Sequence, residues 1–166
     1  MVKHSGKTIK KFGKYSVIDC RICKFIHVIP VPSNQELNSF YDNEYYQNTK
    51  PNFISKNENE MDYWNLVFDE KLTTIEKLIS LKSKRILDIG SGPGFFLRRA
   101  KRRGWDVIGV EPSSLACNYA KEQNIPTIQK FFHEVTSNEI GKFDAIHTFD
   151  VLELSLIHIS EPTRPY

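Results

Sequence analysis

The chain predicts an α/β fold: a doubly wound parallel sheet of about four strands, preceded by a small β-hairpin and helical segment. Three observations predict it. Short apolar strands alternate with helical patterns from Arg85 onward, and a glycine-rich turn stands where the first of these strands meets its helix. One long amphipathic stripe precedes them all.

The elements follow in order. Tyr15, Val17 and Ile18, then Phe25, His27 and Ile29, form a β-like stretch broken at Cys20 and Cys23. Pro30, Pro32 and Ser33 end it, and Gln35, Glu36, Leu37 and Phe40 suggest a short helix. Met61, Trp64, Phe68, Leu72, Ile75 and Ile79 recur at three- and four-residue steps, which places them on one helix face that packs against a sheet. Residues 85–89 read as a strand, 95–103 as a helix that Gly104 ends, and 106–110 as the next strand. Ser113 or Ser114 can cap a helix running to about Gln123, and residues 125–129 and 143–149 complete two more strands. Repeated β-α-β order implies parallel strands with right-handed crossovers. Residues 1–56, 57–153 and 154–166 are thus expected to be an N-terminal segment, a partial core and a tail.

Composition narrows the function. The chain is 40% hydrophobic and 26% charged, near globular averages, which excludes wholesale disorder. Net charge is +3, a mild excess. Its densest basic run, Arg98, Arg99, Lys101, Arg102 and Arg103, falls on an expected helix and reads as a solvated face rather than a nucleic-acid patch. No segment approaches the length of a membrane span, and no signal-peptide run opens the chain. The expected setting is cytoplasmic, with no membrane and no nucleic-acid partner. Three cysteines with one close pair argue against a disulfide framework.

The chemistry centres on Asp88-Ile-Gly90-Ser91-Gly92-Pro-Gly94, at the end of a strand and the opening of a helix. Glycines there permit unusual backbone angles and let a ligand lie against bare main chain. The helix that follows presents unpaired N–H groups at its positive end. A nicotinamide fingerprint would place its third glycine at position 95, where Phe95 stands. One strand later, Glu111 lies 21 residues past Gly90, a spacing that suits two ribose hydroxyls.

The pattern D-x-G-x-G-x-G, within Arg85-Ile-Leu-Asp88-Ile-Gly-Ser-Gly92-Pro-Gly94-Phe-Phe-Leu, resembles motif I of the class I (Rossmann-like) S-adenosylmethionine-dependent methyltransferases. The resemblance implies S-adenosylmethionine as cofactor. Gly90, Ser91, Gly92 and Gly94 would pass beneath its methionine and ribose parts, Asp88 would place its amino group, and Glu111 would hold its ribose. Pro112 and Ser113 would border the adenine. Phe131 either stacks on adenine or joins the core. The run Phe149-Asp150-Val-Leu-Glu153 resembles the family's D-V-L-E-H segment and implies that Asp150 lies near the methionine and the methyl acceptor, or caps a helix, or does both. Phe40-Tyr41-Asp42-Asn-Glu44-Tyr45-Tyr46 resembles the family's tyrosine-rich lid.

Cys20-Arg-Ile-Cys23, followed by Phe25 and His27, is half of a zinc-site pattern. It resembles zinc-binding segments ahead of some sugar and small-molecule methyltransferases, with Lys24 where a glycine is usual. Cys20 and Cys23 are therefore candidate zinc ligands, against a metal-free hairpin remnant, and His4 and His27 would complete the set.

From Leu154 the sequence reads L-S-L-I-H-I-S-E-P-T-R, which resembles translated transposon-type sequencing adapter. Residues 154–166 are set apart from the fold on that ground, and His158 and Glu161 carry no functional weight. The family's sheet has about seven strands, so this resemblance implies a chain truncated after its fourth, with an exposed apolar edge. The leading expectation is methyl transfer to a small-molecule or sugar-type acceptor. Its rivals are a truncated, inactive cofactor-binding fragment and a nicotinamide-dependent oxidoreductase.

Overall fold

The computed structural model describes residues 4–79 and 84–151, which fall into two compact units, 4–37 and 38–151. The tail at 154–166, with His158 and Glu161, lies outside the described residues.

The first unit is an antiparallel sheet of β1 (Gly6–Phe12), β2 (Tyr15–Cys20) and β3 (Ile26–Ile29), in that order. Phe12 pairs with Tyr15, so Gly13 and Lys14 alone make the first turn, with Gly13 at φ +54. β1 was absent from the sequence expectation because its alternation is nearly all polar and its residues are exposed. Helix α1 (Asn34–Ser39) follows. Ser33 and Glu36 close a reciprocal box at its start: the Ser33 N–H donates to the Glu36 carboxylate (3.0 Å) and the Glu36 N–H to the Ser33 hydroxyl (3.3 Å). The Lys14 ammonium beside Glu36 holds that carboxyl well below its usual range.

The second unit opens with a π-helical segment (Phe40–Thr49), then α2 (Phe53–Asn59) and α3 (Met61–Leu78). β4 (Arg85–Ile89), α4 (Phe95–Arg102), β5 (Asp106–Val110) and α5 (Ser114–Glu122) come next. β6 (Thr127–Ile128), a 3-10 turn at Phe132–Glu134, α6 (Ser137–Ile140) and β7 (Ala145–Thr148) complete it. All four strands are parallel, in the order β6-β5-β4-β7. The chain adds strands on one side of β4 and then returns to the other side. The direction of winding therefore reverses between β4 and β7, and in open α/β sheets that point is where ligands bind.

The helical stripe expected along α3 faces the core. Phe68 and Leu72 are buried, and Met61, Trp64, Ile75 and Ile79 pack against a cluster that includes Ile86, Phe96, Leu97, Ala100 and Trp105. Strands β6 and β7 are shorter than the expected 125–129 and 143–149. Ile125 leaves the ladder to join the core, and Asp144 turns its carboxylate onto the Arg85 N–H at 2.9 Å. Ile146 on β7 is 61% exposed.

The basic run on α4 differs from expectation. It forms an ionic seam with α3, and one pair with α2, in place of a purely solvated face. Arg99 pairs with Asp69 through its Nε (2.8 Å), Arg103 reaches Asp69, Thr73 and Glu76, and Arg98 reaches Glu58 (2.8 Å). Asp69 and Glu76 sit seven residues apart, two turns along one face of α3. The Trp105 indole N–H donates to Glu76 as well (3.0 Å).

Candidate functional site

The glycine turn sits at the C-terminal end of β4, beside the switch point. Gly90, Gly92 and Gly94 all take positive φ (+70, +53 and +79), the left-handed region that favours glycine. Space restricts Gly90 further, since a Cβ there would stand 2.3 Å from Val151 Cγ2. The turn is anchored from β5: Val110 carbonyl oxygen accepts from both Gly90 N–H (2.8 Å) and Ser91 N–H (3.2 Å). Gly109 of β5 makes that nesting possible, because a Cβ on it would meet Ser91 Oγ at 2.4 Å.

Glu111, at the end of β5, ties the two halves of the site together. Its Oε2 accepts from Gly92 N–H and its Oε1 from Ser113 N–H, both at 2.9 Å. The residue is 5% exposed, and burial pushes its carboxyl up to about 7 against the pull of those two amides; the charge on Asp88 adds to the rise. Pro112 stands between Glu111 and Ser113. Of the two serines that could cap α5, Ser113 does so, its hydroxyl accepting from Ala116 N–H (3.4 Å). Asp42 Oδ1 in turn accepts from Ser114 N–H (3.0 Å), which docks the tyrosine-rich segment on this helix end.

That segment lies over the site. Tyr46 Oη is 3.3 Å from where a Cβ of Gly92 would stand, and the Tyr41 ring meets Phe131 edge-on at 5.8 Å. Burial pushes the Tyr41 and Tyr46 phenols above their ordinary value, with the Glu111 charge adding to it. Phe131 is half-buried and outside the core cluster, stacked on His133 at 5.6 Å. A groove of ≈540 Å³ opens beside Tyr46, between α2 and α5, and none of the candidate cofactor residues lines it.

Asp88 is 4% exposed, its Oδ1 2.7 Å from Nδ1 of His147, the residue facing it on β7. Burial raises the Asp88 carboxyl, while His147 and, further off, the Lys71 ammonium draw it back. Asp150 stands two residues beyond β7 in the left-handed region (φ +55), exposed. The helix it would cap lies outside the described residues. Three buried polar atoms around these strand ends make no hydrogen bond within the described residues: Ser91 Oγ, His147 Nε2 and Thr148 Oγ1. Buried polar groups are nearly always paired, so three orphans at one switch point suit a polar ligand. The sequence reading gave His147 and Thr148 no role. The available signal was their position in the fourth strand, where the register sets them beside Asp88 and Ile89.

In the first unit, His4, Cys20, Cys23 and His27 place one ligand atom each within 4.8 Å of all the others. His27 Nδ1 lies 3.2 Å from the Val28 carbonyl oxygen, and its Nε2 is buried without a hydrogen bond. Cys20 Sγ lies 3.4 Å from His4 Nδ1. Burial would raise the Cys20 thiol, but the Cys23 amide, the His27 ring, the Ile22 amide and the His4 ring together outweigh it and bring it to about 5. Cys23 moves up, through burial and the neighbouring Cys20 sulfur.

Fold and site together define a class I, Rossmann-like α/β domain with a glycine turn at the end of β4. Comparison with known proteins goes one step further. Residues 63–159, more than half the chain, match a family described as a methyltransferase domain, and the chain belongs to that family. The ubiquinone biosynthesis O-methyltransferase of Coxiella burnetii (strain RSA 493 / Nine Mile phase I) is 30% identical over 117 residues, 62% of this chain and 48% of the relative. That of Dechloromonas aromatica (strain RCB) is 30% identical over 99 residues, 56% of this chain and 41% of the relative. The chain thus spans about half the length of the curated relatives it matches. Among solved structures, the magnesium protoporphyrin IX methyltransferase of Synechocystis PCC 6803 superimposes with a TM-score of 0.58 at 14% identity, covering 80% of this chain and 68% of that one. The plantazolicin methyltransferase BpumL gives a TM-score of 0.50 at 22% identity, over 68% and 44% of the two chains. These likenesses show the fold. The family implies S-adenosylmethionine as the methyl donor.

Proposed function

We propose that the protein transfers a methyl group from S-adenosylmethionine to an oxygen of a small-molecule acceptor. One observation carries this reading most directly: the Glu111 carboxylate is joined to Gly92 N–H across a turn whose glycines hold positive φ at the switch point. That arrangement offers a bare backbone shelf with a carboxylate beside it, which fits an adenosine diol and a methionine tail. The three orphaned polar atoms support the fit. The O-methyltransferase relatives support the acceptor class.

When bound, the donor supplies a sulfonium methyl with its leaving group already attached, open to in-line displacement. The protein's task is then positioning. Asp88 receives the donor's amino group, and Gly90, Ser91, Gly92 and Gly94 support its chain. Glu111 takes the ribose hydroxyls, with Pro112 and Ser113 beside the adenine. Tyr46, above Gly92, keeps water from the turn. Asp150 lies on the acceptor side. Calorimetry with S-adenosylhomocysteine tests the reading. Micromolar binding that Glu111→Ala weakens at least tenfold is expected, and no binding, or equal binding of NADH, would overturn it. Binding without turnover of any quinol-type or phenolic acceptor would leave a cofactor-binding fragment as the function of this chain.

In the first unit, His4, Cys20, Cys23 and His27 would hold a structural zinc ion. The support is the four-ligand cluster, the thiolate character of Cys20, and His27 with Nδ1 against a carbonyl and Nε2 bare. Protein made without a histidine tag should carry one equivalent of zinc. A substoichiometric content, with Cys20 and Cys23 both readily alkylated, would remove the site.

A further inference from the structure

His147 is the buried group that the donor site leaves unexplained. It stands on β7 directly beside Asp88 on β4, and on adjacent parallel strands paired residues point to the same face of the sheet. Its ring lies flat on Phe96 of α4, with centroids 3.8 Å apart and planes 20° apart, and near-parallel to Phe149 at 6.4 Å. The imidazole and the Asp88 side chain are 12% and 5% exposed. Stacking fixes the ring plane, and the 2.7 Å contact fixes which nitrogen faces the carboxylate. Nε2 makes no hydrogen bond among the described residues. A proton on Nδ1, donated to Asp88 Oδ1, satisfies both partners and leaves Nε2 a bare acceptor, whereas the opposite tautomer would set two acceptors face to face.

The surrounding charges are few. Lys71 of α3 places its ammonium 3.6 Å over the Phe149 ring, where it interacts with Asp88 and Asp150. Glu111 on β5 senses the Asp88 charge. α4 contributes the Phe96 ring. Asp88 is thus a buried carboxylate whose one direct hydrogen-bond partner among the described residues is an imidazole. To receive a cationic amino group it must be ionised with an oxygen free.

We infer that His147 is the positioning residue of the donor's amino-acid end: its Nδ1–H anchors Asp88 Oδ1 and leaves Oδ2 for the ammonium. This rests on the proposed role of Asp88, and the experiment separates the two. Dissociation constants for S-adenosylhomocysteine and for 5′-methylthioadenosine, which lacks the amino acid, are measured by calorimetry at pH 8. Three forms of the full chain are compared: wild type, His147→Phe, which keeps the stack and loses the donor, and His147→Asn, which keeps a donor near the Nδ1 position.

At pH 8 wild type is expected to bind S-adenosylhomocysteine more tightly than 5′-methylthioadenosine. His147→Phe should weaken S-adenosylhomocysteine about tenfold or more at pH 8 and leave 5′-methylthioadenosine within twofold. His147→Asn should recover most of that loss. Equal losses for both ligands in His147→Phe and His147→Asn, or no loss for either, would overturn the inference. Wild-type protein that binds neither ligand would instead bring down the donor reading itself.

Discussion

Residues 4–37 bury two side chains among those described, Ile18 and Cys20, and leave Ile9, Phe12 and Ile26 more than half exposed. Residues 38–151 enclose an apolar cluster that runs from Phe68 on α3 through Leu97 on α4 to Ile125. The first unit has little apolar surface inside to order three strands, and the proposed zinc ion would supply what burial does not; the second orders itself by burial. The difference teaches where each unit is vulnerable. The hairpin unit should respond to chelators and thiol reagents, and the sheet unit to lost volume and displaced charge.

The largest effect expected is on the first unit. Zinc removal by a chelator, or Cys20→Ser with Cys23→Ser, withdraws a metal contribution on the order of 10 kcal/mol. Amide-exchange protection should vanish from β1, β2 and β3 and persist in β4 and β5. Protection that survives chelation in β1–β3 would break the comparison. Next is Leu97→Ala, fully buried in the second unit, which should cost about 3 kcal/mol in urea unfolding with zinc content unchanged.

Glu111→Gln sharpens the contrast inside the second unit. The folded protein holds the Glu111 proton up to about pH 7, against an ordinary value of 4.5. Across that window the folded state binds more protons than the unfolded one, so stability of the ligand-free protein falls as pH rises and levels off above 7. At ~1.4 kcal/mol per pH unit the loss reaches about 3 kcal/mol at most. Glutamine removes this slope and gives up one acceptor, worth ~1 kcal/mol. Urea melts at pH 5 and 8 should show the variant gaining about 1–2 kcal/mol at pH 8 only. The smallest effect is Asp69→Asn, which weakens the α3–α4 seam at a partly exposed site. About 1 kcal/mol is expected, shrinking in 1 M NaCl.

Much of this was legible in the residues because their chemistry is local. The α3 stripe, the glycine turn, Glu111 and the β4–α4–β5–α5 succession follow from periodicity and spacing, and β4 and β5 begin and end where the pattern put them. What escaped depends on long-range pairing. β1 carries lysines on an exposed edge and has no apolar alternation to reveal it. α2 (Phe53–Asn59) buries only Asn57, whose side chain donates to the Phe53 carbonyl oxygen at 2.7 Å, so no stripe announces it. The basic run of α4 was read by itself. Its partners Asp69 and Glu76 lie about 30 residues upstream, and only the packing of α3 on α4 brings them together. His147 was invisible for the same reason, since its meaning comes from the strand beside it.

Gly109 shows how far such dependence extends. Glycine inside a strand weakens it by roughly 0.5–1 kcal/mol, and β5 bears that penalty at a position with no turn to make. The missing methyl leaves room for Ser91 to lie against the neighbouring strand. The contour of the loop is therefore moulded from outside itself, and a pattern confined to residues 88–94 describes only half of the mould. An alanine at position 109 would alter the donor shelf without touching a single residue of it.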